Sequence, residues 1–264
     1  MKYNPQKVKR AYNKVADFED KCEKELSLRT EIPRVFIRRY IKKSDTVLDA
    51  GGGTGINTIM MARFCRKVTL LDITPKILQL AEKNIKKARL QNKINIIEGD
   101  ITDLRQFESS SFSFVVCVGD AISYVLNKRK KALSELVRVA QKGAYLIIGC
   151  DSKYGFMGDF LRQGKLKEAL SINRFSECYD GMGSRTHLYT VSEMTRLLEK
   201  GGCDILEMAS TPTLAETVDP GLYQKRSEWK RLKKLELELC TRPELLGIGD
   251  HLLFVVRKKG KPGE

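Results

Sequence analysis

The sequence predicts an α/β fold, a mostly parallel sheet with helices on both faces, and three observations carry that prediction. Short apolar runs recur and end in acids or glycines: Thr46 to Asp49, Val68 to Asp72, Ile94 to Ile97 ahead of Glu98-Gly99-Asp100, and Phe112 to Val118 ahead of Gly119-Asp120. Unbroken apolar runs of this length suit strands covered on both faces. Segments with apolar residues at helical spacing lie between them, at 56–64, 76–90 and 125–140, and such alternation builds parallel sheets. The third observation is the glycine turn Gly51-Gly52-Gly53-Thr54-Gly55 joining the first strand to a helix. Glycine permits positive φ and close approach of a ligand to the main chain. A helix N-terminus behind such a turn suits a nucleotide-like ligand.

The spacing separates two ligand classes. A dinucleotide turn needs a small residue at the sixth position from Gly51, where this chain has Ile56. Asp49-x-Gly51-x-Gly53-x-Gly55 instead resembles the first motif of the class I S-adenosylmethionine (SAM)-dependent methyltransferases. Asp72, followed by Ile73, ends the next strand 17 residues past Gly55, where a carboxylate accepts from ribose hydroxyls. Glu98-Gly99-Asp100-Ile101 resembles the family's adenine-binding motif, with Asp100 for the amino group and Ile101 against the ring. The resemblance implies SAM as cofactor, bound at Asp49, Gly51, Gly53, Gly55, Asp72, Ile73, Asp100, Ile101 and Gly119. It also implies a Rossmann-like sheet of seven strands, the last one inserted antiparallel, and a cap insertion after the fifth strand.

Four regions follow in order. Residues 1–44 read as two helices, the first from Pro5, the second from about Glu23 to Ile41 with a break or kink near Glu31 to Pro33. By the resemblance they fold over the cofactor, with Tyr12 and Arg29 as candidates to close over SAM and hold its carboxylate. Residues 45–150 form the core, including one helix from Val125 to Ala140 with Asn127 as its N-cap and a fifth strand from Ala144 to Cys150. Residues 151–190 are an insert far longer than an ordinary connection. It reads as a helix from Gly155 to Ile172, interrupted at Gly158 and Gly164, and a strand-like piece from Ser184 to Tyr189. Phe156, Met157, Phe160, Phe175, Tyr179 and Met182 supply either cap walls or the insert's own core. Residues 191–264 return to the sheet through a helix from Val191 and a strand from Cys203 to Met208. A basic helix from about Leu222 to Cys240 and a last strand from His251 to Arg257 follow.

Composition bounds the setting. No apolar run is long enough for a transmembrane helix, and residues 1–10 lack a secretory signal's apolar stretch. Seven scattered cysteines without C-x-x-C or Cys/His spacing fit a reducing cytoplasm and give no metal site. Cys65, Cys117, Cys150 and Cys203 read as small core residues. The net charge of +15 is concentrated before residue 150 and raises RNA as a partner. Interleaved lysine and glutamate read equally as a solvated, thermophile-like surface. The run Lys128-Arg129-Lys130-Lys131 borders the expected site, where it either steers an anion or is plain surface. Oligomeric state is not legible.

Methyl transfer from a sulfonium is an in-line displacement, so positioning the acceptor supplies most of the rate. A base matters where the acceptor carries a tightly held proton. Asp120, Tyr124 and His187 are the candidates, while His251 at the start of a strand reads as structural. The place after the fourth strand lacks the Asn/Asp-Pro-Pro-aromatic box of amino-methylating nucleic-acid enzymes and the paired acids of aminopropyltransferases. Cys117 lacks the proline context of cytosine-C5 enzymes. A small-molecule acceptor is the primary expectation, with an RNA (tRNA or rRNA) methyltransferase and a non-catalytic SAM-binding module as alternatives.

Overall fold

A computed structural model describes residues 2–24, 27–181, 183–215 and 225–260. Its centre is a seven-stranded sheet of β1 (Thr46–Ala50), β2 (Lys67–Asp72), β3 (Ile94–Glu98), β4 (Phe112–Cys117), β5 (Ala140–Asp151), β8 (Cys203–Thr211) and β9 (His251–Lys258). The order is β3-β2-β1-β4-β5-β9-β8. The first five strands are mutually parallel, and β9 enters antiparallel between β5 and β8. The chain reverses direction across the sheet between β1 and β4, the kind of switch point where α/β proteins bind ligands at the strands' carboxyl ends.

Side chains alternate across each strand, and the two faces carry separate cores. Leu48, Val115, Cys117, Leu146 and Ile148 pack under α6 (Arg129–Val139) and α9 (Val191–Lys200) through Leu133, Leu136, Met194 and Leu198. Val47, Phe114, Val116 and Ile147 pack under α2 (Leu28–Tyr40), α3 (Ile56–Ala62) and α4 (Pro75–Ala88) through Ile32, Phe36, Met61, Leu78 and Ile85. Trp229 and Leu232 of α10 (Arg226–Leu239) add to this second face. The four cysteines expected in the core are buried there.

Several boundaries differ from expectation for local reasons. The first helix, α1 (Pro5–Lys24), continues past Glu23, and α2 begins only after Ser27, whose Oγ accepts from the Thr30 amide as an N-cap. Pro33 does not break α2; it lies in the second turn, where only the carbonyl of Arg29 loses its amide partner. The helix expected over 125–140 begins only at Arg129 as α6, because Leu126 adopts φ 46° between it and the short α5 (Ala121–Tyr124). Asn127 does not cap α6; its Oδ1 accepts from the Tyr3 amide at 2.7 Å. The basic helix begins at Arg226, its expected first residues lying outside the described ones.

The insert forms α7 (Lys153–Arg162) and α8 (Leu166–Phe175), separated at Gly164 (φ 72°), and a hairpin of β6 (Glu177–Tyr179) with β7 (Arg185–His187). Gly158 is an ordinary residue of α7. Ile172, Cys178 and Leu188 make a small core of the insert's own, with Phe156, Met157 and Phe160 against it. Phe175 and Tyr179 face solvent instead, and Met182 lies outside the described residues.

Candidate active site

The glycine turn is built by conformation and by bonds from the neighbouring strand. Gly51, Gly53 and Gly55 have φ of 74°, 56° and 82°. The amides of Gly51 and Gly52 both donate to the Leu71 carbonyl, at 2.7 and 3.1 Å. Asp49 lies beneath, fully buried, where Thr58 of α3 donates to its carboxylate. Burial, aided by nearby Asp72, raises the Asp49 carboxyl to about 7 although the Thr58 bond opposes this. Asp49 thus ties α3 to β1 from inside and shapes the turn. At the end of β2, Asp72 accepts from the Gly53 amide at 3.2 Å and the Thr74 amide at 2.9 Å. Ile73, partly exposed, follows it. After β3, Asp100 accepts from the Thr102 amide at 2.8 Å and from the Tyr3 hydroxyl at 2.9 Å, with Ile101 buried behind.

Helix α1 lies over these strand ends. It buries only Ala16 completely, so polar contacts hold it. Lys9 pairs with Glu98, Asp17 with Lys76 at 2.6 Å, and Asp20 accepts from Asn84 at 2.8 Å. Glu23 reaches the glycine turn, accepting from the Thr54 amide at 3.2 Å and its hydroxyl at 2.8 Å. Burial is the largest cause that raises Glu23 to about 7; Asp49 and Asp72 add to it and the Thr54 bonds oppose it.

A second group gathers where β4, β5 and β9 end. Gly119 has φ 80°, and a methyl group built on it meets nothing within 4 Å, so the space beside it is open. Asp120 accepts from the Tyr12 hydroxyl at 3.3 Å. The rings of Tyr12 and Tyr124 meet edge to face, centroids 5.4 Å apart, and the Tyr124 hydroxyl donates to Asp180 at 2.6 Å. Asp151, at the end of β5, accepts from Thr186 at 2.6 Å through Oδ2, and its Oδ1 lies 3.2 Å from His251 Nε2. Arg29, an exposed residue, approaches His251 Nε2 to 2.8 Å.

The expected residues therefore divide. Tyr12, Arg29, Gly119, Asp120 and Tyr124 come together, and the glycine turn, Asp72 and Asp100 form the adjoining group. His187 does not join them. Its Nε2 meets Glu193 at 3.0 Å and its ring packs on Tyr189. The reason is strand alternation: Thr186 turns to Asp151, so the next residue of β7 points to the other face. The histidine that reaches the acids is His251, read from sequence as structural, and Asp151 is a site residue that sequence reasoning missed. Both follow from β9 running antiparallel, which pairs its first residue, His251, with the last residue of β5, Asp151. An acid ending the fifth strand was the available signal.

Burial decides the charge states. It is the largest cause that lowers His251 to about 3, with Arg29 adding to it, so the imidazole is neutral. It also raises Asp151 and Glu19 to about 7 each. A pH dependence follows. Asp49, Glu19, Glu23 and Asp151 hold protons in the folded chain between about 4 and 7 that the unfolded chain has released. Their contribution to stability is full below the unfolded value and lost as pH rises through the folded one. His251 acts oppositely, costing stability as pH falls below about 6.5, but is one group against four. The melting temperature of the ligand-free protein is expected to fall from about pH 5 to pH 8, and to fall less in Asp49→Asn. Equal slopes for the two proteins by calorimetry would show that Asp49 does not titrate as described.

The groups present fit SAM. Asp72 and Asp100 are acceptors at adjacent strand ends, and Asp100 already receives one hydroxyl donor in the cleft. Gly51, Gly53 and Gly55 add no side chain of their own to the cleft, and the carboxylate of Glu23 lies against Gly53 and Thr54.

Residues 48–148 match the family model described as Methyltransferase domain. A demethylmenaquinone methyltransferase of Leptospira interrogans is 32% identical over 103 residues, covering 38% of this chain and 41% of that protein. A tRNA1(Val) (adenine(37)-N6)-methyltransferase of Shewanella amazonensis is 31% identical over 75 residues, covering 28% and 32%. The chain thus spans about a third to two fifths of these relatives' lengths. Among solved structures, a SAM-dependent methyltransferase of Methanosarcina mazei superposes with a TM-score of 0.60 at 19% identity, covering 85% of this chain and 97% of the other, a likeness of fold. No helix among the described residues is long and apolar enough to cross a membrane. Residues 48–148 are thus a methyltransferase domain, and the sheet order around them is the one expected of the class I SAM-dependent methyltransferases.

Proposed function

We propose that this protein transfers the methyl group of SAM to a small-molecule acceptor held at the ends of β4 and β5. The observation that carries this reading is that two separate covers meet at one place. Tyr12 of α1 reaches Asp120 and Tyr124, and the insert reaches the same cluster through Asp180 and Thr186. An acceptor beside Gly119 would be walled by both, which suits a small molecule and excludes a folded RNA stem. SAM supplies an already activated methyl carbon on a sulfonium, so the chain's own task is to orient the acceptor and exclude water. The light apolar attachment of α1 supports its lifting to admit ligands.

The RNA reading rests on the basic surface, including exposed Lys128, Lys130 and Lys131 beside this site. Two measurements separate the readings. S-adenosylhomocysteine is expected to raise the melting temperature while NAD leaves it unchanged; the reverse ranking would remove the SAM assignment. Labelled SAM offered with fractionated metabolites and with RNA is expected to label the metabolite fraction. Label in tRNA or rRNA, with binding that weakens steeply in salt, would replace the small-molecule reading.

A further inference from the structure

Among the described residues, the recess beside Gly119 gathers more acids than cations. Asp120 and Asp151 oppose each other's ionisation, Glu19 feels Asp120 and Asp180, and Asp151 feels Asp180 and Asp250. His251 and then Arg29 relieve Asp120, and Arg29 relieves Asp151 and Glu19. Burial itself holds His251 well below its usual value.

A second observation concerns where a donor is missing. Asp151 is 2% exposed, and its Oδ1 has no hydrogen-bond partner among the described residues. Its polar neighbour at 3.2 Å, His251 Nε2, faces the Arg29 guanidinium at 2.8 Å, a group that only donates. The Nε2 atom is then an acceptor and has no proton for Asp151. In its ionised form, which an approaching cation favours, Asp151 therefore points a buried carboxylate oxygen into the cluster with a lone pair to satisfy, and leaving it so is costly. An ammonium would offer several N–H donors and a positive charge together.

Resting on the methyl-transfer reading above, we propose that the acceptor is an amine, bound as its ammonium between Asp151 Oδ1 and Asp120, with Tyr12 and Tyr124 as its aromatic flank. The aromatic faces add cation–π attraction. An alcohol would bring one donor and no charge to two carboxylates, and a carboxylate acceptor would be repelled by both. In the reaction the ammonium gives one proton to the ionised carboxylate of Asp120 or Asp151. The freed nitrogen lone pair forms the N–C bond to the methyl group as the C–S bond breaks, its electron pair passing to sulfur. The products are an N-methylated ammonium, which carries the positive charge that left the sulfonium, a neutral thioether and a protonated carboxyl that returns its proton to water.

The test is calorimetric binding to protein saturated with S-adenosylhomocysteine, using 2-phenylethylamine, 2-phenylethanol and phenylacetate, and butylamine with butanol. At least one amine is expected to bind about tenfold or more tightly than its alcohol, with phenylacetate weakest. That preference is expected to vanish in Asp151→Asn and to shrink in Asp120→Asn, whose half-exposed position keeps the second variant informative if the first misfolds. Amines that bind no better than their alcohols overturn the proposal, as does a preference that survives in both variants. Mn2+ alone stabilising the wild type but not Asp151→Asn also overturns it, assigning the carboxylates to a metal. Failure to bind S-adenosylhomocysteine removes the methyl-transfer reading itself, a result distinct from failure of the amine arm.

Discussion

Replacing Asp72 by Ala is expected to weaken S-adenosylhomocysteine binding by about 1.5–3 kcal/mol, the range for hydrogen bonds to a charged group, which is roughly a 10- to 150-fold rise in Kd. Two effects contribute. The substitution removes the carboxylate proposed to accept from the ribose, and it releases the Gly53 amide that Asp72 now holds at 3.2 Å. Asp72→Asn separates them, since its amide oxygen keeps one acceptor for Gly53 but loses the charge. It is expected to fall between wild type and Asp72→Ala. An affinity unchanged in Asp72→Ala, measured by calorimetry, would mean the ribose does not lie at the end of β2.

Gly51→Ala is expected to damage stability and cofactor binding together. Gly51 has φ 74°, and a Cβ there would stand 2.6 Å from the Cβ of Ala121. The left-handed conformation costs an alanine about 1–2 kcal/mol. Overpacking adds about 1–3 kcal/mol, because Ala121 belongs to α5, anchored by buried Ile122 and Tyr124. Loss of about 2–5 kcal/mol in a chain of this size lowers the melting temperature by at least several degrees. The double variant with Ala121→Gly relieves the contact but not the backbone strain, so it is expected to recover only part of the loss. A wild-type melting temperature in Gly51→Ala would show that the turn does not pack on α5.

The sequence by itself determined the sheet and the glycine turn at its carboxyl edge, since each depends on neighbours in the chain. Apolar runs reveal buried strands, and Gly51, Gly53 and Gly55 reveal positive φ because other residues resist it. Asp72 and Asp100 could be placed because a strand end is defined by the strand before it.

Helix boundaries were less legible. Ser27 could be recognised as a cap only once α2 was in place, and Pro33 looked like a break although its position near the helix start leaves one carbonyl to satisfy. Which histidine and which further acid join Asp120 and Tyr124 was decided by tertiary structure alone. His187 and His251 are equivalent in sequence, each beside an apolar segment. Alternation along β7 turns one toward Glu193, and the antiparallel entry of β9 sets the other beside Asp151, about 100 residues away in the chain. Pairing across a sheet depends on strand order and direction, and those are set by how both faces of the whole sheet are covered. The raised carboxyl groups of Asp49, Asp151, Glu19 and Glu23 have the same origin, because burial is a property of the assembled fold.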